Sequence, residues 1–493
     1  MFYISTRGNH LPVPSSQAIS MGMVPQGGLF VPESIPNLNQ DWLYSGASYQ
    51  SVAREVFSRF LTDFTPEEID FCISKAYNSA NFGSDSVTSQ MQLKPGLSIL
   101  ELWHGPTAAF KDVALQIMPH LLQISKKKNN NTNHTAILVA TSGDTGKAAL
   151  EGFKNCEDIS IMVFFPHEGV SEIQRLQMVT TDGSNTAVFA VRGNFDDCQS
   201  AVKKIFSDHD LKDILLKSNI ELSSANSINW GRLCPQIVYY VKSYMDLVVS
   251  KQINPGEMIN FCVPTGNFGN ILAAYYARAM GVPIKKLICA SNKNRILPDF
   301  FNKGIYDSHR EFYRTNSPSM DILISSNLER FLFEITAHNA EKIYAWYKSL
   351  NSSGKFEIDA TTRQAIESVL ISGWIDEDEV LSTIGNVYKK FNYVVDTHTA
   401  VGIALCNKLG PFEHYTVVTS TASPFKFSCD VLKGIDKIDH SDEFDCIRQI
   451  SSISNKPVHH AVDLLGDRPV LHQSVIEIDQ MKESVLNTLE KLT

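Results

Sequence analysis

TAILVATSGDTGKAALEGF, residues 135–153, joins a short β-branched and apolar run to a glycine-rich turn and then to a helical periodicity. That succession is half of a strand–helix–strand unit, and it recurs downstream. ISIMVFFP (159–166) reads as a strand and SEIQRLQMV (171–179) as a helix. TAVFAVRG (186–193) leads into DDCQSAVKKIF (196–206), with apolar spacing at Val202, Ile205 and Phe206. INFCVPTG (259–266) ends in GNFGN before the helical ILAAYYARAM (271–280), and KKLICAS (285–291) and YTVVTST (415–421) read as further strands. Strands alternating with helices imply parallel pairing and an α/β architecture. Ligand loops in such sheets lie at the carboxyl ends of strands. TSGDTG, PTGNFGN and TSTASP all fall there.

Upstream the rhythm is absent. Residues 1–92 are expected to form a separate N-terminal domain, 93–430 a two-lobed ligand-binding region, and 431–493 a polar, helical packing segment. The stretch 302–321, rich in charged, aromatic, Ser and Pro residues, reads as a mobile loop over a site.

Composition narrows the function. With 493 residues, the chain exceeds one ordinary core. A net charge of −9 and a pI near 5.9 argue against a nucleic-acid partner. The nine cysteines are scattered without a Cys-x-x-Cys pair and read as core residues in a reducing compartment. No His-Glu-x-x-His or Cys/His ligand spacing occurs, so no metal is expected. The N-terminus resembles no targeting peptide, and no apolar run approaches the roughly 18 residues that span a bilayer. A cytoplasmic protein without membrane contact is expected.

Chemistry centres on HGPTAAFKDV (104–113). Phe110, Val113, Ala114, Ile117, Met118 and Leu121 recur at three- and four-residue steps, placing Lys111 beside an apolar face. A bare ammonium there is costly unless its charge is paired or removed. Either the stem snorkels and the charge stays in water, or the amine condenses with an aldehyde cofactor. In GNFGN (266–270), two glycines let the backbone approach a ligand, and the helix N-terminus favours a phosphate; an ordinary βα turn is the alternative. TSGDTGKAA (141–149) fails the P-loop spacing but suits a carboxylate or small anion, with Ser142 or Asp144 as helix cap. In TSTASPFKF (419–427) a hydroxyl can cap the turn or face a heterocycle nitrogen.

Eight segments taken together resemble the threonine synthase family, in the family's order and over nearly the whole chain. They are YISTRG (3–8), QGGLFVPE (26–33), ELWHGPTAAFKDVALQ (101–116), ATSGDTGKAALEGF (140–153), NSINWGRLCPQ (226–236), PTGNFGN (264–270), SPSMDILISSNLER (317–330) and DTHTAVG (396–402). The resemblance is to the longer fungal and bacterial subgroup. It implies fold type II, the tryptophan-synthase-β-like fold, with two αβα lobes around pyridoxal 5′-phosphate and an added N-terminal domain.

The resemblance makes Lys111 the Schiff-base lysine and general base. It makes Gly266, Asn267, Phe268, Gly269 and Asn270 the phosphate cradle, and Thr421 the hydroxyl facing the pyridine nitrogen. Ser142, Gly143, Asp144 and Thr145 would hold the substrate carboxylate, although Asp144 is electrostatically awkward there and can instead buttress the loop. His104, Lys147, Arg175 and Arg232 are candidates for the substrate phosphate, with structural ion pairs as the competing reading of the arginines. Trp103 stands where Phe or Tyr is commoner, and Gln26 replaces a frequent Asp. The implied reaction converts O-phospho-L-homoserine and water to L-threonine and phosphate, through γ-elimination and then β-addition of water, by a monomer or homodimer. The alternatives are β-elimination or β-replacement on hydroxy- or thio-amino acids, and a non-catalytic binder of a phosphorylated metabolite.

Overall fold

Strands Ile159–Pro166, Ile259–Pro264 and Tyr415–Ser420 are buried along their whole lengths, which follows from their continuous apolar runs and demands cover on both faces. The computed structural model, which describes residues 1–141, 143–168 and 170–492, places them in two parallel sheets. The smaller sheet is wholly parallel and runs Ser474–Glu477, Thr186–Arg192, Ile159–Pro166, His134–Ala140, Ile220–Ser223. The larger runs Leu370–Trp374, Ile284–Ser291, Ile259–Pro264, Tyr415–Ser420, Leu97–Glu101, and ends in the antiparallel edge strand Ser89–Lys94. This is the expected α/β architecture.

Strand alternation divides the apolar residues between two clusters. Ile137, Val139, Ile161 and Val163 face the main core, whereas Ala136, Leu138, Met162 and Phe164 face a second one. The second core is closed by Val202, Ile205 and Leu211, and by Met481, Val485 and Leu489 of the last helix, Met481–Leu492.

Three expectations about organisation change. The N-terminal residues do form their own small antiparallel sheet, Val13–Pro14, Phe2–Ser5, Phe30–Pro32, but they share the main core. Tyr3 and Phe60 pack edge-on to Trp230 at 5.2 and 5.4 Å between ring centroids, and Trp230 opens the central helix Trp230–Val249. The expected boundary after residue 92 falls inside strand Ser89–Lys94, and that after 430 inside helix Ser428–Asp436. The C-terminal segment is also not purely helical, because Ser474–Glu477 adds an edge strand to the smaller sheet. Among the described residues no helix is long and apolar enough to cross a membrane, and no cluster of His, Cys, Asp and Glu could hold a metal. All nine cysteines are free thiols.

Candidate active site

Lys111 opens the short helix Lys111–Leu115, and its neighbours explain its direction. Asp112 folds back: its carboxylate accepts the Thr107 N–H at 2.9 Å and the Thr107 hydroxyl at 2.7 Å. A Cβ at Gly105 would lie 2.4 Å from that of Asp112, so only glycine allows this turn to close. Burial pushes the Asp112 carboxyl up to about 6. The Phe110 N–H donates to the Thr421 carbonyl at 2.8 Å, which ties the segment to the end of strand Tyr415–Ser420. Lys111 is left against Asp144 with its side chain 11% exposed, so the snorkelling alternative fails.

The Lys111 Nζ lies 3.4 Å from Asp144 Oδ2, 3.5 Å from the Ser319 hydroxyl and 4.9 Å from the Phe110 ring centroid. Burial lowers its proton affinity, Asp144 opposes that, and the positive charges of Lys426 and Arg232 lower it further. The amine therefore loses its proton more readily than an exposed lysine, the condition for a nucleophile or base near neutrality.

Asp144 is the first residue of helix Asp144–Phe153. The expected capping role passes to Thr141, whose hydroxyl accepts the Gly143 and Gly146 N–H groups at 3.0 Å each; Ser142 lies outside the described residues. The Asp144 carboxylate is instead fully committed. Oδ1 takes Lys426 Nζ at 2.6 Å and Gln174 Nε2 at 3.0 Å, and Oδ2 takes the Ser319 hydroxyl at 2.9 Å. Burial alone would raise its pKa, but the ammonium groups of Lys426 and Lys111 hold it well below the usual carboxylate range. Held by these side chains, the Asp144 carboxylate braces the start of its helix against Gln174, Ser319 and Lys426. The N–H groups of Asp144 and Thr145 donate to no acceptor among the described residues and remain available to an anion.

The second loop follows strand Ile259–Pro264. Phe268 adopts φ +64° and turns the chain into helix Gly269–Ala279. Asn270 braces the turn, donating to the Pro264 carbonyl at 2.9 Å, and Asn327 bridges the Asn267 and Ser227 carbonyls at 3.1 and 3.2 Å. The N–H groups from Asn267 to Asn270 find no acceptor among the described residues, and N–H groups so placed at a helix N-terminus can bind an anion. A Cβ on Gly266 would sit 2.9 Å from the Ser319 carbonyl. Ser319 thus touches both this loop and the Lys111 amine, and joins two of the expected site segments. Its N–H donates to His398 Nε2 at 3.1 Å, and His398 Nδ1 donates to Asp396 at 2.9 Å.

The remaining candidates separate. Thr421 is buried at the foot of the Phe110 bond, and its hydroxyl has no partner among the described residues. Arg232 is buried. It gives one N–H to the Ala225 carbonyl at 2.6 Å, leaves Nε without a partner, and pairs with no carboxylate among the described residues. Burial lowers its pKa to about 10. The other three cations are already paired. Arg175 makes a two-pronged surface pair with Glu172 at 2.7 Å, Lys147 bonds Glu151 at 2.8 Å and Thr181 at 3.0 Å, and His104 meets Glu101 at 3.0 Å. They fit structural ion pairs, the competing reading. Lys426, Ser319, Gln174 and the Asp396–His398 pair were missed by sequence reasoning. The signal for Lys426 was present as a lysine inside the apolar run SPFKF.

A cleft of about 510 Å³, lined by Ser171, Gln174, Phe312, Arg314, Pro318 and Phe427, opens between the lobes and leads past Gln174 towards Asp144. The 302–321 stretch forms part of its wall and is pinned: Asn292 and Asn294 donate to Asp321 at 2.7 and 2.8 Å.

Known proteins share this arrangement. A family profile described as threonine synthase N terminus matches residues 2–77. Threonine synthase-like 1 of Macaca fascicularis is 37% identical over 95% of this chain, which spans only 63% of that protein's length. Threonine synthase of Schizosaccharomyces pombe is 36% identical over 86% of this chain and 87% of its own. The crystal structure of PLP-bound threonine synthase from Brucella melitensis superposes with a TM-score of 0.85 at 34% identity, covering 99% of both chains. With its buried lysine, its open N–H loop and a threonine synthase 36% identical to it over most of both chains, the chain belongs to the threonine synthase family.

Proposed function

We propose that this chain is a pyridoxal-phosphate-dependent threonine synthase converting O-phospho-L-homoserine and water to L-threonine and phosphate. The observation that carries the reading is the meeting, through Ser319, of a buried amine of lowered proton affinity and a loop whose N–H groups have no acceptor among the described residues. The residues fit the cofactor. Lys111 offers the amine for its aldehyde, Asn267 to Asn270 the donors for its phosphate, and Thr421 an uncommitted hydroxyl for its ring nitrogen. Pyridoxal phosphate supplies an electron sink that makes carbon–hydrogen bonds next to the bound amine acidic.

The chain's own residues do the rest. Asp144 and Thr145 offer a carboxylate N–H groups that have no acceptor among the described residues. The Lys111 Nζ, deprived of full proton affinity by burial, takes up and returns protons at the substrate carbons. Arg232 holds a buried positive charge without an acidic partner, which suits the substrate's phosphate and its departure. The reading sets the chain in the cytoplasm, acting on a small molecule as a monomer or homodimer.

The test offers O-phospho-L-homoserine, O-phosphothreonine and serine separately to the cofactor-loaded protein and assays phosphate, threonine and ammonia. Phosphate and threonine in equal amounts from phosphohomoserine alone are expected. Ammonia release from serine or O-phosphothreonine would point instead to β-elimination. Binding without turnover would point to a non-catalytic homologue.

A further inference from the structure

Lys426 has been given no role so far, yet its side chain is fully buried and its Nζ contacts two groups of the site. It lies 2.6 Å from Asp144 Oδ1 and donates to the Thr107 carbonyl at 3.1 Å, within the turn that Asp112 closes before Lys111. The charged groups facing the Lys111 amine are Asp144 from helix Asp144–Phe153, Lys426 from the turn Pro424–Phe427, and Arg232 from helix Trp230–Val249. Ser319 and the Phe110 ring are its neutral neighbours.

We propose that Lys426 is a positioning residue that neutralises Asp144, so that this carboxylate orients the Lys111 nitrogen through Oδ2 and Ser319 without locking a proton onto it. The argument is one of charge balance. Asp144 alone, 3.4 Å from Lys111, would hold the nitrogen protonated and idle as a base. Paired with Lys426, it presents little net charge and keeps its geometry, since Gln174 and Ser319 fix the carboxylate plane. Neither partner can leave alone, because the other would remain buried and uncompensated.

This inference rests on the functional reading, and its test separates the two. The cofactor-loaded protein is titrated by its visible absorbance, which reports protonation of the linked Lys111 nitrogen and needs no turnover. Lys426→Met should raise the apparent pKa by about 1–3 units, and Asp144→Asn should lower it by a similar amount. The double variant Asp144→Asn/Lys426→Met should fall between the single variants, a rescue that a packing role would not produce, and Lys426→Arg should titrate like wild type. Should Lys426→Met fail to fold, the comparison of Asp144→Asn with the double variant decides: removing Lys426 as well should move the apparent pKa back up, and no upward move would overturn the proposal. Single variants that shift together or not at all, or a double variant outside their range, would overturn the proposal while the absorbance band leaves the functional reading standing. Absence of any band in the wild type would overturn both.

Discussion

A lysine at the edge of an apolar helix face ordinarily keeps its ammonium in water. Lys111 does not: Asp112 folds back on Thr107, Phe110 is bonded to Thr421, and the lysine side chain lies against Asp144 and Ser319. The Phe-Lys-Asp order was legible; the fate of its charge was not, since Asp144 lies 33 positions away and Ser319 lies 208. Arg232 illustrates the same limit. Four cations could have served an anion, and only structure shows that three already have acidic or hydroxyl partners. Replacing Arg232 by Gln should weaken phosphohomoserine binding by about 1.5–3 kcal/mol, the worth of a hydrogen bond to a charged group, or roughly ten- to a hundredfold in KM. Cofactor affinity, followed by equilibrium dialysis, should change far less; equal losses would mark the residue as structural.

At the scale of elements, buried strands were read within a residue or two because their apolar runs are continuous and end in glycine-rich turns. Strand Leu97–Glu101 went unseen: LSILE is short, lacks such a turn and pairs with Tyr415–Ser420, over 300 residues away. Strand Ser474–Glu477 has four residues, three of them exposed, so its pattern is too short to distinguish it from a loop. Helix placement depends on one glycine. A Cβ at Gly152 would come 2.1 Å from the Leu115 carbonyl, so glycine is what lets helix Asp144–Phe153 rest on helix Lys111–Leu115 and bring Asp144 to Lys111. Gly152→Ala should destabilise the fold by about 1–3 kcal/mol, as overpacking does. It should also lower kcat, because the pressed-apart helices carry the amine and its carboxylate. Denaturant unfolding and steady-state kinetics read the two effects separately.

Across the whole molecule, the N-terminal sheet, the central helix and the Ser319 segment are bound by one buried arginine. Arg330 donates to the Phe30 carbonyl at 2.8 Å, to Asn327 at 2.7 Å and to the Ile228 carbonyl at 2.5 Å. Next to it, Glu329 takes Arg7 at 2.8 Å and Thr6 at 2.6 Å. Composition could suggest a separate N-terminal domain, but not that its core continues into the catalytic lobes through Tyr3, Phe60 and Trp230. Stability of this assembly should carry the signature of the buried Asp144–Lys426 pair. Because the Asp144 carboxyl is held below its ordinary value of 3.8, its contribution is present above that pH and is lost as pH falls through the lower folded value. The gap in Tm between wild type and Asp144→Asn should therefore stay level from neutrality down to about pH 4 and close below it. A gap that closes between pH 7 and 5 would mean that the carboxylate is not held by its two lysines.

The most direct test of the account is chemical. Wild-type protein loaded with pyridoxal phosphate is reduced with borohydride, digested and mapped by mass spectrometry, beside Lys111→Ala treated alike. The account predicts one reduced cofactor adduct, on Lys111, and neither adduct nor turnover in the variant. An adduct on another lysine, or none in the wild type, would contradict it.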